Sequence, residues 1–201
     1  MYQPAHGKFV ETAPERWYGL MRDYPFATLV TQSSAGLEAN HVPFLLHEPS
    51  TLTAHVPRAN TVWQSIAERP VLAIFHGPDS YISPSWYPTK QDHGKVVPTW
   101  NYATVHVRCN ARSIEDREWL RRHLEEITDR HEKDLEHPWR LSDAPADYLD
   151  KMLGAIVGIE IDIVAIEGKF KLSQNRPLPD RDNVARELAK RNPPLEKLNR
   201  P

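Results

Sequence analysis

The chain has 201 residues, of which 40% are hydrophobic and 26% are charged, so it is long enough to bury the core of one large domain. Its 25 Lys and Arg residues nearly balance 27 Asp and Glu residues, and the formal net charge of -2 excludes a strongly basic nucleic-acid binder. A single cysteine, Cys109, excludes an internal disulfide and a cysteine-built metal cluster within one chain. We see neither a signal-like leader nor an apolar run of about 18 residues, and therefore expect a cytoplasmic protein without a membrane partner.

The first half of the chain is predicted to form a short helix and then a series of strands. Residues 12–15 (Thr-Ala-Pro-Glu) have the pattern of a capping box, which predicts a helix that ends before Pro25. A second short helix, capped by Asn60 and ended by Arg69 and Pro70, is expected before the last strand. The predicted strands cover residues 26–32, 37–46, 51–56 and 71–76. This order is typical of an antiparallel meander and disfavours a doubly wound parallel sheet.

The second half combines a long aromatic loop with further strands and helices. The loop is predicted over residues 77–100, and its length and aromatic content favour a functional role. Strands are predicted over residues 101–111 and 157–163, and Ser113 is expected to cap the longest helix. We predict a single domain over residues 1–201, with a helical insertion at about 113–153 and a C-terminal helical tail at about 180–201.

Most common catalytic motifs are missing from the sequence. The ten histidines show no zinc-protease, zinc-finger or calcium-loop spacing, so no metal site is predicted; His123, His131 and His137 are expected to face water. No nucleophile elbow, P-loop or dinucleotide fingerprint supports acyl transfer or a common nucleotide fold. Arg58 lies just before the predicted cap Asn60, where it is either a phosphate ligand or a solvated turn residue. Spacing alone leaves both readings open.

Six ordered phrases span nearly the whole chain. They are Met1-Tyr2-x-Pro4-x-His6, His41-Val42-Pro43-Phe44-Leu45, His55-Val56-x-Arg58-Ala59-Asn60, Gly77-Pro78-x-x-Tyr81-Ile82-Ser83-Pro84-Ser85-Trp86-Tyr87, Val97-Pro98-Thr99-Trp100-Asn101-Tyr102-x-x-Val105-His106-Val107 and Gly168-Lys169-Phe170-Lys171-Leu172-Ser173-Gln174-Asn175-Arg176. Together they resemble the PaiB family, the FMN-binding negative transcriptional regulators. Cys109 and Asn110 depart from the pattern, because a small residue such as glycine is expected there.

The resemblance implies an α+β, mainly β fold: an antiparallel, Greek-key-like FMN-binding split β-barrel with peripheral helices, related to the pyridoxamine-phosphate oxidase type. It implies FMN as the cofactor and a homodimer with the flavin sites at the shared interface. Arg58 and Asn60 should contact the FMN phosphate. Residues beside the isoalloxazine ring should be His41, Val42, Pro43 and Phe44. Further contributors, from the same chain or its partner, should be His106, Lys171, Gln174 and Arg176.

Two functions remain open at this point. The first is a flavin-binding negative transcriptional regulator of the PaiB type, and the alternative is a small FMN-dependent oxidoreductase. A DNA partner is weakly supported, since Arg and Glu residues interleave on the predicted long helix and no helix-turn-helix is recognised. No catalytic acid or base is assigned beyond the candidates His41 and His106, because flavin chemistry resides mainly in the cofactor.

Overall fold

A computed structural model describes residues 1–34, 36–66 and 70–199 of the chain. The strands are β1 (Val10–Glu11), β2 (Phe26–Ser33), β3 (Gly36–Pro43), β4 (Leu45–His47), β5 (Thr51–Pro57), β6 (Pro70–Ile82), β7 (Thr99–Ile114) and β8 (Ile156–Lys171). The α-helices are α1 (Pro14–Asp23), α2 (Val62–Ser65), α3 (Lys90–His93), α4 (Arg117–Glu132), α5 (Ala146–Gly154), α6 (Leu178–Arg191) and α7 (Pro193–Asn199). Two 3-10 turns occur at Pro84–Trp86 and Leu141–Asp143.

The strands form one sheet in the order β3-β2-β6-β7-β8-β5-β4, and β1 pairs with β8. The registered pairings of β2 with β3 and β6, and of β5 with β4 and β8, are all antiparallel. Within the described residues the hydrogen-bonded path is open, with β3 and β4 at its two ends. The predicted mainly antiparallel α+β fold is therefore confirmed. No described helix has both the length and the apolar character needed to cross a membrane.

The chain divides into two compact units. Unit 1 contains residues Met1–Tyr24, Phe75–His106 and Ile166–Pro201, and unit 2 contains Pro25–Ile74 and Val107–Ala165. The strands β6, β7 and β8 each supply residues to both units. The predicted helical insertion corresponds to α4 and α5 in unit 2, and the predicted tail to α6 and α7 in unit 1.

Each unit has its own apolar core. In unit 2, alternate residues of the strands are fully buried, among them Leu29, Leu52 and Ile159. The single cysteine belongs to this core: its thiol donates to the carbonyl of Val71 at 3.4 Å, and burial raises the pKa of Cys109 to about 12. In unit 1 the large buried side chains include Phe75 and Phe170.

Two helix starts differ from the sequence prediction because side chains other than the predicted caps accept the backbone N–H groups there. Thr12 does not cap α1: the carboxylate of Glu11 instead accepts the backbone N–H groups of Thr12 and Ala13, both at 3.0 Å. Asp116, rather than Ser113, caps α4 by accepting from the Trp119 N–H at 2.7 Å, since Ser113 still belongs to β7. The predicted end of the second helix at Arg69 lies outside the described residues.

The long strands also extend further than their periodicity predicts. β6 continues to Ile82, so the aromatic loop is shorter than the predicted 77–100 and contains a 3-10 turn and α3. β8 runs to Lys171 through a segment that reads as a polar, basic loop. The reason is pairing: β1 hydrogen-bonds with this part of β8, and the N–H of Phe170 donates to the carbonyl of Phe9 at 3.0 Å.

Candidate functional site

In unit 2, Asn60 joins two segments that the sequence predicts to bind FMN. Its Nδ2 donates to Oδ1 of Asn40 on β3 at 2.8 Å, and its Oδ1 accepts the N–H of Val62 at 3.0 Å. Asn60 thus accepts from the first residue of α2, although Thr61 and not Asn60 occupies the N-cap position, and the same side chain fastens the turn after β5 to β3. The residue next to Asn40 is His41, so the predicted ring segment and the predicted phosphate segment lie together within unit 2.

Residues His41 to Phe44 run along the end strand of the described sheet. β3 pairs with β2 on one side, which leaves backbone groups on its other side for a ligand. Val42 and Phe44 are buried, while His41 is exposed and its ring stacks on Phe26 with the centroids 6.2 Å apart. Pro43, which has no N–H, offers only its carbonyl. The strand therefore exposes His41, while the N–H of Phe44, just beyond β3, donates to the carbonyl of Pro25 at 2.9 Å. Contact of these residues with the ring stays a prediction.

Arg58 is held by the fold through all of its guanidinium nitrogens. Nε donates to the carbonyl of Gly154 at 3.1 Å, Nη2 to the carbonyl of Ile156 at 3.3 Å, and Nη1 to Oε2 of Glu115 at 2.6 Å. The guanidinium also lies 5.9 Å from the ring centroid of Trp63. A phosphate can gain Arg58 by exchanging with Glu115, whose carboxylate is more than half exposed and so is cheap to release into water.

In unit 1, the predicted residues Lys171, Gln174 and Arg176 belong to one tight turn. The N–H of Leu172 donates to Oε1 of Gln174 at 2.6 Å, and Nε2 of Gln174 donates to the carbonyl of Phe170 at 2.5 Å. Both ends of the Gln174 amide thus hold the turn. Lys171 donates to the hydroxyl of Thr99, whereas Arg176 lies over the ring of Tyr87, 4.5 Å from its centroid. His106 lies half-buried on β7.

Of these side chains, Lys171 and Arg176 line a cavity of about 230 Å³, whereas Gln174 and His106 do not. Among its walls are three polar residues that sequence reasoning did not single out: Tyr87, Asn101 and Ser173, all buried. Nδ2 of Asn101 donates to Oγ of Ser173 at 2.9 Å. All three lie inside the six sequence segments that resemble the PaiB family, and this position could have drawn attention to them. A sequence segment does not show, however, whether a polar side chain is buried.

In unit 2, the sequence also did not reveal a contact between two histidine rings, one of them buried. His123 is buried, not exposed as predicted, because Trp119 stacks on its ring with centroids 5.2 Å apart. Its Nε2 lies 3.1 Å from Nδ1 of His55. Burial, with His55 and His47 nearby, lowers the pKa of His123 to about 3, and burial lowers the pKa of His55 too. No described cluster has the composition of a metal site.

Comparison with known proteins identifies the family. Residues 1–165 match the model of the FMN_bind_2 family, described as a "putative FMN-binding domain". The chain belongs to this family. It is also 33% identical to the protease synthase and sporulation protein PAI 2 of Bacillus subtilis over 192 residues, which cover 94% of this chain and 89% of that protein. The resemblance to the PaiB family is confirmed, and FMN is the cofactor that the family description names.

Solved structures with the same fold include two flavoproteins. The flavocytochrome Anf3 from Azotobacter vinelandii has a TM-score of 0.64 at 13% identity, covering 92% of this chain and 78% of that one. The FAD- and heme-binding protein from Mycobacterium smegmatis has a TM-score of 0.64 at 17% identity, covering 86% and 78%. At these identities the likeness concerns the fold, and the predicted split-barrel architecture is confirmed.

The residues of unit 2 fit a flavin mononucleotide. Its phosphate needs a cation and hydrogen-bond donors, which Arg58 supplies once Glu115 is exchanged. Its ring needs main-chain donors and acceptors beside an apolar wall, which the edge of β3 and the Phe26 ring supply. The assignment of individual ligands among the predicted residues stays a prediction.

Proposed function

We propose that this protein is an FMN-dependent oxidoreductase of the split-barrel type. The observation that carries this proposal is the hydrogen bond between Asn60 and Asn40, which holds the two predicted flavin-binding segments of unit 2 together. When bound, FMN supplies one- or two-electron transfer, so the protein itself needs only to bind and orient it.

The chain's own residues would act as follows. Arg58 exchanges Glu115 for the phosphate and binds it through a charge-assisted hydrogen bond. Asn60 keeps the phosphate turn in register with β3, and the main chain of residues 41–44 orients the ring. His41, exposed at the same edge, is the candidate proton donor to a substrate.

A negative transcriptional regulator of the PaiB type is the second candidate, supported by the name of the Bacillus subtilis relative, a protease synthase and sporulation protein. Direct DNA binding has less support from the charges. On α4, Arg117 pairs with Asp150 at 2.9 Å and Arg121 with Glu125 at 3.9 Å, so part of its basic surface is already neutralised. A regulatory role through the redox state of FMN fits these charges better than a basic DNA-binding face does.

The experiment that separates these functions uses the purified full chain. A flavin absorbance that survives desalting tests FMN binding, and anaerobic bleaching by NADH or NADPH tests the oxidoreductase. Bleaching that is followed by reoxidation with turnover supports the enzyme. A stable flavin that no nicotinamide donor reduces, together with a sequence-specific mobility shift of promoter DNA, supports the regulator instead. A colourless protein that does not take up added FMN contradicts both proposals.

The active form is proposed to be a homodimer with the flavin sites at its interface. Each unit exposes large apolar side chains that are unusual on a monomer's surface. In unit 1, Trp100 and Tyr81 form an edge-to-face pair with centroids 6.1 Å apart, and both remain about half exposed. In unit 2, Phe26 and Leu37 are exposed on β2 and β3. A second copy of the chain is the partner that covers such surfaces most simply.

A further inference from the structure

The cavity of unit 1 is lined by two cationic side chains and, among the described residues, by no carboxylate. Lys171 and Arg176 line it, and Lys169 lies close enough for its charge to act on Lys171. Within the described residues, none of these three cations forms an ion pair. The nearby carboxylate of Asp180 is fully buried and uses both oxygens for Thr89, accepting its N–H at 3.1 Å and its hydroxyl at 2.8 Å.

The three cations are held in place by neutral partners. Nζ of Lys169 donates to the carbonyl of Tyr2 at 3.0 Å and faces the rings of Tyr2 and Tyr102 at 5.2 and 5.7 Å. Lys171 donates to Thr99, and Arg176 stacks on Tyr87. Surface lysines and arginines ordinarily extend into water or pair with carboxylates. Here like charges are brought together and partly desolvated; burial, with the charges of Lys169 and Arg176, lowers the pKa of Lys171.

A buried hydroxyl at the same cavity has only a hydrogen-bond donor beside it. Tyr87 is 2% exposed, and the polar group that interacts with its Oη is the guanidinium of Arg176, which cannot accept the hydroxyl proton. Buried donors are nearly always satisfied, so an unpaired one in a cavity wall indicates a missing acceptor. An anionic oxygen would accept from Tyr87 and at the same time compensate Lys171 and Arg176.

The backbone of this turn is strained in a way that positions the site. Ser173 has φ of 66°, in the left-handed region that favours glycine, and its Oγ is hydrogen-bonded with the fully buried Asn101. Such conformations persist where surrounding contacts over-determine them, and they cluster at functional sites. Together with the Gln174 contacts they fix where Lys171 and Arg176 stand.

We infer that this cavity binds the phosphate or carboxylate group of a small molecule other than the flavin. A volume of about 230 Å³ suits a small anionic group and is below the usual size of a whole cofactor site. This anion binding does not depend on the proposed function, because it concerns residues of unit 1 alone.

The test uses the FMN-loaded protein titrated with inorganic phosphate by calorimetry. Three forms are compared: the natural chain, the double variant Lys171→Gln with Arg176→Gln, and the control Arg186→Gln with Lys190→Gln, which removes the same charge from the exposed face of α6. We expect phosphate affinity to fall at least tenfold in the first variant and to stay unchanged in the control. Tyr87→Phe, which removes only the hydroxyl, should weaken phosphate binding several-fold and serves if the double variant does not fold.

The same titration on FMN-free protein identifies the source of the anion. Phosphate that binds equally with and without FMN supports a second ligand. Phosphate binding that FMN abolishes assigns the cavity to the cofactor's own phosphate and overturns the inference. Equal affinity in the natural chain, the double variant and Tyr87→Phe also overturns it. A protein that binds phosphate at this cavity but retains no flavin after desalting would contradict the proposed function and leave this inference intact.

Discussion

At the residue scale, Arg58 is where a phosphate ligand and the fold compete for one guanidinium. Its two carbonyl partners, Gly154 and Ile156, hold the side chain against the end of α5 and the start of β8, and its third partner, Glu115, is exchangeable. Arg58→Ala should weaken FMN binding by about one to two orders of magnitude, since charge-assisted hydrogen bonds contribute roughly 1.5–3 kcal/mol each. Fluorescence titration with FMN and riboflavin measures this, and riboflavin should be affected much less.

Glu115→Gln tests the same exchange from the side of the carboxylate that pairs with Arg58. If phosphate displaces this carboxylate, removing its charge frees Arg58 and should tighten FMN several-fold while leaving riboflavin binding unchanged. The control is Glu118→Gln, a neighbouring acidic residue that is exposed on α4. Equal changes for FMN and riboflavin in the Arg58 and Glu115 variants would instead assign the pair to the fold.

The buried His123, which contacts the half-buried His55, makes stability depend on pH. The pKa of His123 is about 3 in the folded chain and near 6.5 when unfolded, so the unfolded state binds the proton first. Its contribution to stability is complete above pH 6.5 and is lost as pH falls toward 3. Urea unfolding should show a loss of about 2 kcal/mol between pH 7 and pH 5, reduced in His123→Gln. The exposed His131→Gln should keep the full dependence; the same reduction there would contradict this origin.

At the element scale, β8 and α4 in unit 2 approach too closely for any side chain at Gly158. A Cβ placed on this residue would lie 2.3 Å from Cζ3 of Trp119. Gly158→Ala should therefore destabilise the protein by about 1–3 kcal/mol, because the indole must leave its place over His123. Chemical denaturation measures the loss, and the His123 pKa should rise as water enters.

Gly19→Ala is the matched control for that substitution. Gly19 lies inside α1 with no heavy atom within 4 Å of a new Cβ, so alanine there should stabilise by up to about 1 kcal/mol. Destabilisation of similar size at both glycines would show that contact with Trp119 is not the cause.

At the scale of the whole molecule, we expect the chain to form the proposed homodimer. Sedimentation at micromolar concentration should show two chains. Trp100→Ser should weaken their association roughly tenfold or more, since buried aromatic anchors dominate interfaces. Trp139→Ser, at a tryptophan of similar exposure in unit 2, is the control and should leave association unchanged. A monomer that retains FMN would contradict a shared flavin site.

The sequence by itself determined the family, the cofactor and the succession of strands along the first half, because these depend on local signals. The predicted meander is wrong as the order within the sheet, since β2 pairs with β6 and β5 with β8. Apolar alternation with Ser, Gly and Pro turns marks β2, β3 and β5, although the predicted strand over residues 37–46 divides into β3 and β4, and the six phrases carry the family resemblance. The hydrogen bond from Val62 to Asn60 at the start of α2 could be anticipated because it joins residues close in sequence, although the N-cap itself is Thr61. What such signals cannot show is the partner of Asn60 on β3, which lies 20 residues away.

Only the tertiary structure decided which polar groups are buried and which charges are paired. The Glu115 that holds Arg58 is 57 residues distant, and the His55 that meets His123 is 68 residues distant, so no local pattern relates them. The same holds for Asn101 and Ser173 beside Lys171, whose separation is 72 residues. Desolvation and charge compensation depend on which surfaces the sheet brings into contact, and these side chains acquire their chemistry only when those contacts form.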